Sequence, residues 1–200
     1  MAGLGDSGLG IRDSMISEVE QKQLLGLARH ALEARVAGLR VSEVACTGPL
    51  ALRCGAFVSI HCGDDLRGCL GRLTVDAPLG TTILHLGGAV ADSDPRFPPV
   101  TAEEVAFLHI EISLLTPERP VASIDEIEVG RHGLIVEHGR ARGLLLPQVA
   151  AENAWDRETF LEHTCIKARL TRDAWQHGAL FLVFEAQVFA ENQRAGTTAI

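Results

Sequence analysis

The chain has 200 residues, 46% hydrophobic and 22% charged, which is ample for a buried core and ordinary for a globular domain. A formal net charge of −8 with no basic cluster argues against nucleic-acid partners. No apolar run approaches the roughly 20 residues that span a bilayer, so no membrane partner is expected.

Five cysteines without CxxC spacing fit a reducing cytosol better than a disulfide framework, so a cytoplasmic protein is expected. Residues 1–14 are glycine-rich and lack the basic start and apolar middle of a secretory signal. They read as a flexible tail, as do residues 193–200, leaving 15–192 as one domain.

Ser17-Glu18-Val19-Glu20 is a capping box. The helix it opens carries Leu24, Leu27, Ala28, Ala31, Leu32 and Val36 on one stripe, with His30 off it. After Gly48-Pro49, two apolar runs separated by a Gly/Asp cluster, Cys54–Cys62 and Leu66–Leu73, read as a β-hairpin.

Loop length sets the hairpin's register. A two-residue loop would set Val58 opposite Cys69 and Ile60 opposite Arg67, mixing apolar and polar side chains. The three-residue loop Gly63-Asp64-Asp65 sets Val58 and Ile60 opposite Leu70 and Gly68, a clean apolar face, and is preferred. It gathers Ser59, Cys69, His61 and Arg67 on the other face, with His61 opposite Arg67. Gly68 and Gly71 beside the thiol mark a bulge or a close approach by another backbone or a ligand.

Asp76-Ala77-Pro78 reads as a helix start with Asp76 as cap, followed by Leu79, Ile83, Leu86 and Val90 at helical spacing. His85 sits at the edge of that stripe. Three prolines in Asp94-Pro95-Arg96-Phe97-Pro98-Pro99 stiffen the loop and hold Asp94 and Arg96 in place. Thr101–Glu104 is another cap. Leu108–Leu115 alternates as a half-buried strand, with His109 and Glu111 on one face and Ile110 and Ile112 on the other.

A second hairpin runs from Leu134–Glu137 through His138–Arg142 to Gly143–Pro147, whose return strand lies at an edge or ends abruptly at Pro147. Gln148–Ala154 reads as helical, and Asp156 caps a helix carrying Phe160, Leu161, Thr164, Cys165 and Ala168. Leu180–Phe189 reads as a single central strand. The order of elements predicts an α+β fold with mostly antiparallel pairing.

No GxGxxG, P-loop, HExxH or GxSxG motif occurs, and the cysteines lack metal-ligand spacing, so no metal site is expected and no cofactor is named. Cys69, His61 and Arg67 are the candidate catalytic residues. Gly68, Gly71, Asp94, Arg96 and Glu111 are the candidate binding residues. A cysteine near cationic groups has a lowered pKa and reacts as the thiolate, with His61 as its base and Glu111 orienting His61. Arg67 or Arg96 would clamp a small anionic ligand. The bland alternative is that Cys69 packs as a small hydrophobe and Arg67 is a surface charge.

Leu66-Arg67-Gly68-Cys69-Leu70-Gly71 resembles, with one conservative change, the Leu-Arg-Gly-Cys-Ile-Gly signature of the AMMECR family. Asp94–Phe97, Ile110–Ser113, Gly133–Ile135, Gly143–Ala150, Trp155, Phe160-Leu161 and Cys165-x-Lys167-Ala168 match as well, so the likeness runs from about Leu24 to Glu191. Arg169 departs from it where the family pattern has glycine, and Gly87-Gly88 stand where larger residues or alanine are expected. The resemblance implies an α+β fold with a larger lobe of helices on a mostly antiparallel sheet, a smaller α+β lobe, and the signature near their junction. Prokaryotic members are called protein A of the AmmeMemoRadiSam system, which implies a pathway shared with a Memo-like protein and a radical-SAM protein. Two functions are therefore expected: a Cys69-centred enzyme or ligand-binding site, or a non-catalytic adaptor docking those partners through the hairpin.

Overall fold

The computed structural model describes residues 16–73 and 75–192. The two expected tails lie outside the described residues. The fold is α+β, built on two four-stranded sheets.

The first helix, α1 (Glu18–Val36), starts at the expected capping box, where the Glu20 carboxylate accepts from both the N–H and the hydroxyl of Ser17 at 2.7 Å. It buries Leu24, Leu25, Ala28, Leu32 and, less predictably, Arg29. The hairpin forms from β1 (Ala56–Cys62) and β2 (Asp65–Arg72). Next comes α2 (Leu79–Ala89), which buries the expected Leu79, Ile83 and Leu86. The Asp76 cap does not form. Asp76 pairs with Arg72 at 3.0 Å, and Pro78 is the N-cap residue, the Leu79 N–H donating instead to the Leu52 carbonyl at 2.7 Å.

Strand β3 (Leu108–Leu115) pairs antiparallel with β1. The first sheet has the order β2-β1-β3-β8, with β8 formed by Ala186–Ala190, and α1 and α2 cover one of its faces. That face is the larger core, in which Val58, Ile60, Ile110, Ile112 and Leu114 are fully buried.

The second sheet has the order β4-β7-β5-β6, from β4 (Arg119–Pro120), β5 (Gly133–His138), β6 (Ala141–Leu145) and β7 (Leu180–Phe184). As expected, β6 is an edge strand. The short α3 (Pro147–Glu152) and then α4 (Arg157–Lys167) follow it. Asp156 caps α4 by accepting from the Thr159 N–H at 2.8 Å, and Phe160, Leu161 and Cys165 fill the core beneath the sheet.

The last strand is two strands, not one. β7 is interior to the second sheet, whereas β8 (Ala186–Ala190) is the edge of the first. Glu185 makes the switch. Its N–H donates to the Thr116 hydroxyl at 2.8 Å and its carbonyl accepts from the Thr116 N–H at 2.9 Å. The backbone groups lost from both ladders are thereby satisfied. A small apolar cluster of Leu115, Ile135 and Phe184, with Phe57 and Leu144 against it, joins the sheets.

Candidate functional site

The uncovered face of the first sheet carries the candidate residues. Cys69 on β2 lies opposite Ser59 on β1, and Ser59 lies opposite Glu111 on β3. One row along, His61 faces His109 across the ladder, and their rings stack with centroids 5.1 Å apart. Cys69, His61, His109 and Glu111 are half-buried, and Ser59 is buried.

Only part of the expected hairpin register is found. Val58, Ser59 and Ile60 pair with Leu70, Cys69 and Gly68, as the apolar pattern demands. The turn itself, however, is the two-residue Gly63-Asp64, so Cys62 pairs with Asp65 and His61 with Leu66, not with Arg67. A bulge beside Ile60 and His61 absorbs the difference. Tight-turn chemistry and face patterning demand registers one residue apart, and one extra residue in β2 satisfies both.

The bulge re-aims Arg67. Its guanidinium grips the Glu104 carboxylate with two hydrogen bonds, at 2.9 and 3.2 Å, and donates to the Pro98 and Pro99 carbonyls at 2.9 and 3.3 Å. Arg67 is thus an anchor for the proline-rich loop, and its donors point away from the Cys69 row.

That loop also closes the free edge of β2. Asp94, buried to 3% side-chain exposure, accepts the Cys69 N–H at 2.8 Å. The same carboxylate accepts the Arg96 N–H at 3.1 Å and its guanidinium at 3.0 and 2.7 Å. Because the Cys69 N–H points outward, Ser59 and Cys69 form a non-hydrogen-bonded pair, the kind that brings side chains closest across a ladder. Gly68 marks the expected close approach by another backbone, whereas at Gly71 the neighbour is a side chain. A Cβ on Gly68 would sit 3.0 Å from the Val90 carbonyl oxygen, and one on Gly71 would enter the Phe57 ring.

Burial pushes the Cys69 pKa up. The Ser59 hydroxyl, hydrogen-bonded to it, and the Arg96 charge pull the other way, while Asp94 and Glu111 add to the rise. The resting group is a thiol, against the expectation of a lowered pKa. Burial moves His61 in the opposite sense, downward, partly offset by Glu111 and reinforced by His109. At pH 7 it is a neutral imidazole, and its Nε2 is buried without a hydrogen-bond partner. Among the described residues no group of three metal-ligating side chains is disposed to hold an ion.

A family model described as AMMECR1 matches residues 25–189. The chain belongs to the AMMECR1 family. A relative from Thermofilum pendens is 42% identical over 200 residues, covering 90% of this chain and 94% of its own. One from Methanosarcina acetivorans is 41% identical over 192 residues, covering 91% and 96%. The crystal structure of an uncharacterised protein from Pyrococcus horikoshii is 37% identical, with a TM-score of 0.80 over 89% of this chain and 94% of that one. The AMMECR1 likeness therefore spans both sheets. No helix among the described residues is long and apolar enough to cross a membrane.

The sequence does not signal the Arg67–Glu104 clamp or the edge-closing role of Asp94. The clamp depends on the bulge, and the Asp94 bond joins residues 25 positions apart. Glu104 was visible only as the end of a Thr101 cap, which it also forms, accepting from the Thr101 N–H at 2.7 Å.

Proposed function

We propose that the uncovered face around Cys69 is a small-molecule site at which Cys69 acts on the ligand, His61 serves as its base, and Glu111 and Ser59 orient and relay. The observation that carries this reading is the buried, unpartnered Nε2 of a neutral His61 on the same face as a protonated thiol. Burying such a nitrogen without a partner costs about 1–3 kcal/mol, and a ligand group that hydrogen-bonds to it removes that cost. His61 and Cys69 are diagonal neighbours on this face, a spacing within the reach of an imidazole. As the Cys69 sulfur adds to an electrophilic carbonyl carbon of the ligand, the C=O π pair moves to oxygen and the thiol proton passes to Nε2, directly or through the Ser59 hydroxyl hydrogen-bonded to the thiol. Arg96, more exposed than Arg67, is the guanidinium available to an anionic group there. Action alongside a Memo-like protein and a radical-SAM protein belongs to this reading.

Peptide-resolved alkylation by iodoacetamide from pH 5 to 9 on the native chain tests it. Cys69 should react in the native state, and His61→Ala should slow it several-fold at pH 7 while exposed Cys62 is unaffected. Inertness of Cys69 until the chain unfolds would make it a packing residue.

An adaptor reading draws on a different observation. Leu66 and Phe107, at the turn end of the hairpin, are 38% and 54% exposed. Co-purification with a Memo-like or radical-SAM partner, lost in Leu66→Asp and Phe107→Asp but kept in Cys69→Ser, would establish docking in place of chemistry.

A further inference from the structure

A cavity of about 330 Å³ opens at the seam between the two sheets, roughly 13 Å along β2 from Cys69. Leu115 of the first sheet and Gly55, just before β1, wall one side, and Ile135, Leu144 and Phe184 of the second sheet wall the other. This is the small end of the range for ligand pockets, with the usual apolar lining. Cys54 also lines it, and burial raises its thiol pKa to about 11, so it contributes a neutral surface.

The charged groups at the mouth are unequal. Arg142 is already paired with Glu118 and Glu137. Arg53 donates one N–H to the Val75 carbonyl at 3.3 Å and, among the described residues, forms no ion pair. A guanidinium with free donors above an apolar floor favours one ligand chemistry, because its planar fork matches an oxyanion while the floor takes hydrocarbon.

We propose that this seam cavity is a second binding site, for a small carboxylate carried on an apolar chain, with the carboxylate on Arg53 and the chain between the sheets. The ligand touches both sheets, so its binding also braces one lobe against the other. The site shares no residue with the Cys69 face and stands or falls independently of it.

Calorimetric titration of the full chain with sodium octanoate, against 1-octanol as the uncharged isostere, tests the proposal. Octanoate should bind once per chain, about tenfold more tightly than 1-octanol at low salt, because one charge-assisted hydrogen bond carries the difference. Arg53→Ala, an exposed substitution, should erase that difference. Leu144→Trp should fill the cavity and weaken both ligands, and Cys69→Ser should change neither. Equal affinity of the two ligands, absence of saturable octanoate binding, or unchanged binding in Arg53→Ala would overturn it.

Discussion

Asp94→Asn removes one charge from a buried carboxylate that receives four hydrogen bonds, from the Cys69 N–H, the Arg96 N–H and two guanidinium nitrogens. The amide keeps one acceptor oxygen, but its NH2 must then face one of these donors. The Arg96 side chain is 56% exposed, so its share of the loss is screened to about 0–1 kcal/mol. The buried bond to the Cys69 N–H carries about 1.5–3 kcal/mol. The sum, about 1.5–4 kcal/mol, lowers the melting temperature by about 3–16 °C for a chain of this size. Arg96, more than the Cys69 N–H, holds the Asp94 carboxyl well below the ordinary range, against the opposing effect of burial. A group depressed in the folded state stabilises fully above its unfolded pKa of about 3.9 and loses that contribution as pH falls toward the folded value. Melting of both proteins should therefore show a constant gap from pH 7 to 5 that closes below about pH 4. Cys69 alkylation should accelerate in the variant, because its strand edge is released. A gap under 0.5 kcal/mol at pH 7, or one that widens in acid, would refute the reasoning.

The Arg29–Glu191 pair, 9% and 18% exposed, ties α1 to the residue just past the chain's last strand, and Arg29 also donates to the Leu108 carbonyl at 2.8 Å. In urea titrations Glu191→Ala should cost about 3–5 kcal/mol, and Arg29→Met with Glu191→Met less than the sum of the single changes. Gly87→Ala should be destabilising by 1 kcal/mol or more, because its Cβ would lie 2.8 Å from the Ala28 backbone, whereas the nearest contact at Gly88 is 3.6 Å. Gly88→Ala should accordingly gain about 0.5–1 kcal/mol by helix propensity, and equal melting temperatures for the two variants would contradict this packing. Arg169 holds φ +60° just past α4, where the Arg169 and Leu170 N–H groups cap the Ile166 and Cys165 carbonyls at 2.8 and 3.0 Å. Arg169→Gly should relieve left-handed strain and raise stability by about 0.5–1 kcal/mol, measurable by the same denaturation.

What is local in this chain is legible in its sequence. Ser17 and Glu20, Asp156, and the stripes through Leu24 to Leu32 and Leu79 to Val90 each require only neighbours within a few turns, and all are found. The failures are elsewhere. Arg29 sits within the apolar stripe of α1, a visible signal, but its partner is 162 residues away. Nothing near Glu185 announces a change of sheet, because Thr116 supplies the hydrogen bonds that permit it. Either pure hairpin register was self-consistent on its own criterion. Only the fold's demand that both be met produces the bulge, and with it the diversion of Arg67 to Glu104.

Most of the signature hexapeptide has an architectural reason. Arg67 holds a loop, Gly68 admits the Val90 carbonyl, Leu70 faces the core, and Gly71 lies under Phe57. The Asp94 loop is likewise accounted for by the strand edge it closes. Cys69 and His61 are the residues whose chemistry remains unexplained by packing, and His61 is actively unfavourable where it stands, a buried nitrogen with nothing to bond. A purely structural imidazole at that position should be improved upon by a hydrocarbon of similar size. His61→Leu forfeits the stack on His109 but removes the orphaned ring nitrogen, so its stability should equal or exceed that of the parent by about 0–2 kcal/mol in urea denaturation. The same variant should slow Cys69 alkylation near neutral pH. Stability held while reactivity falls is the pattern of a residue kept for chemistry. A loss of more than 1 kcal/mol would instead assign His61 to the fold and remove the main support for a site at Cys69.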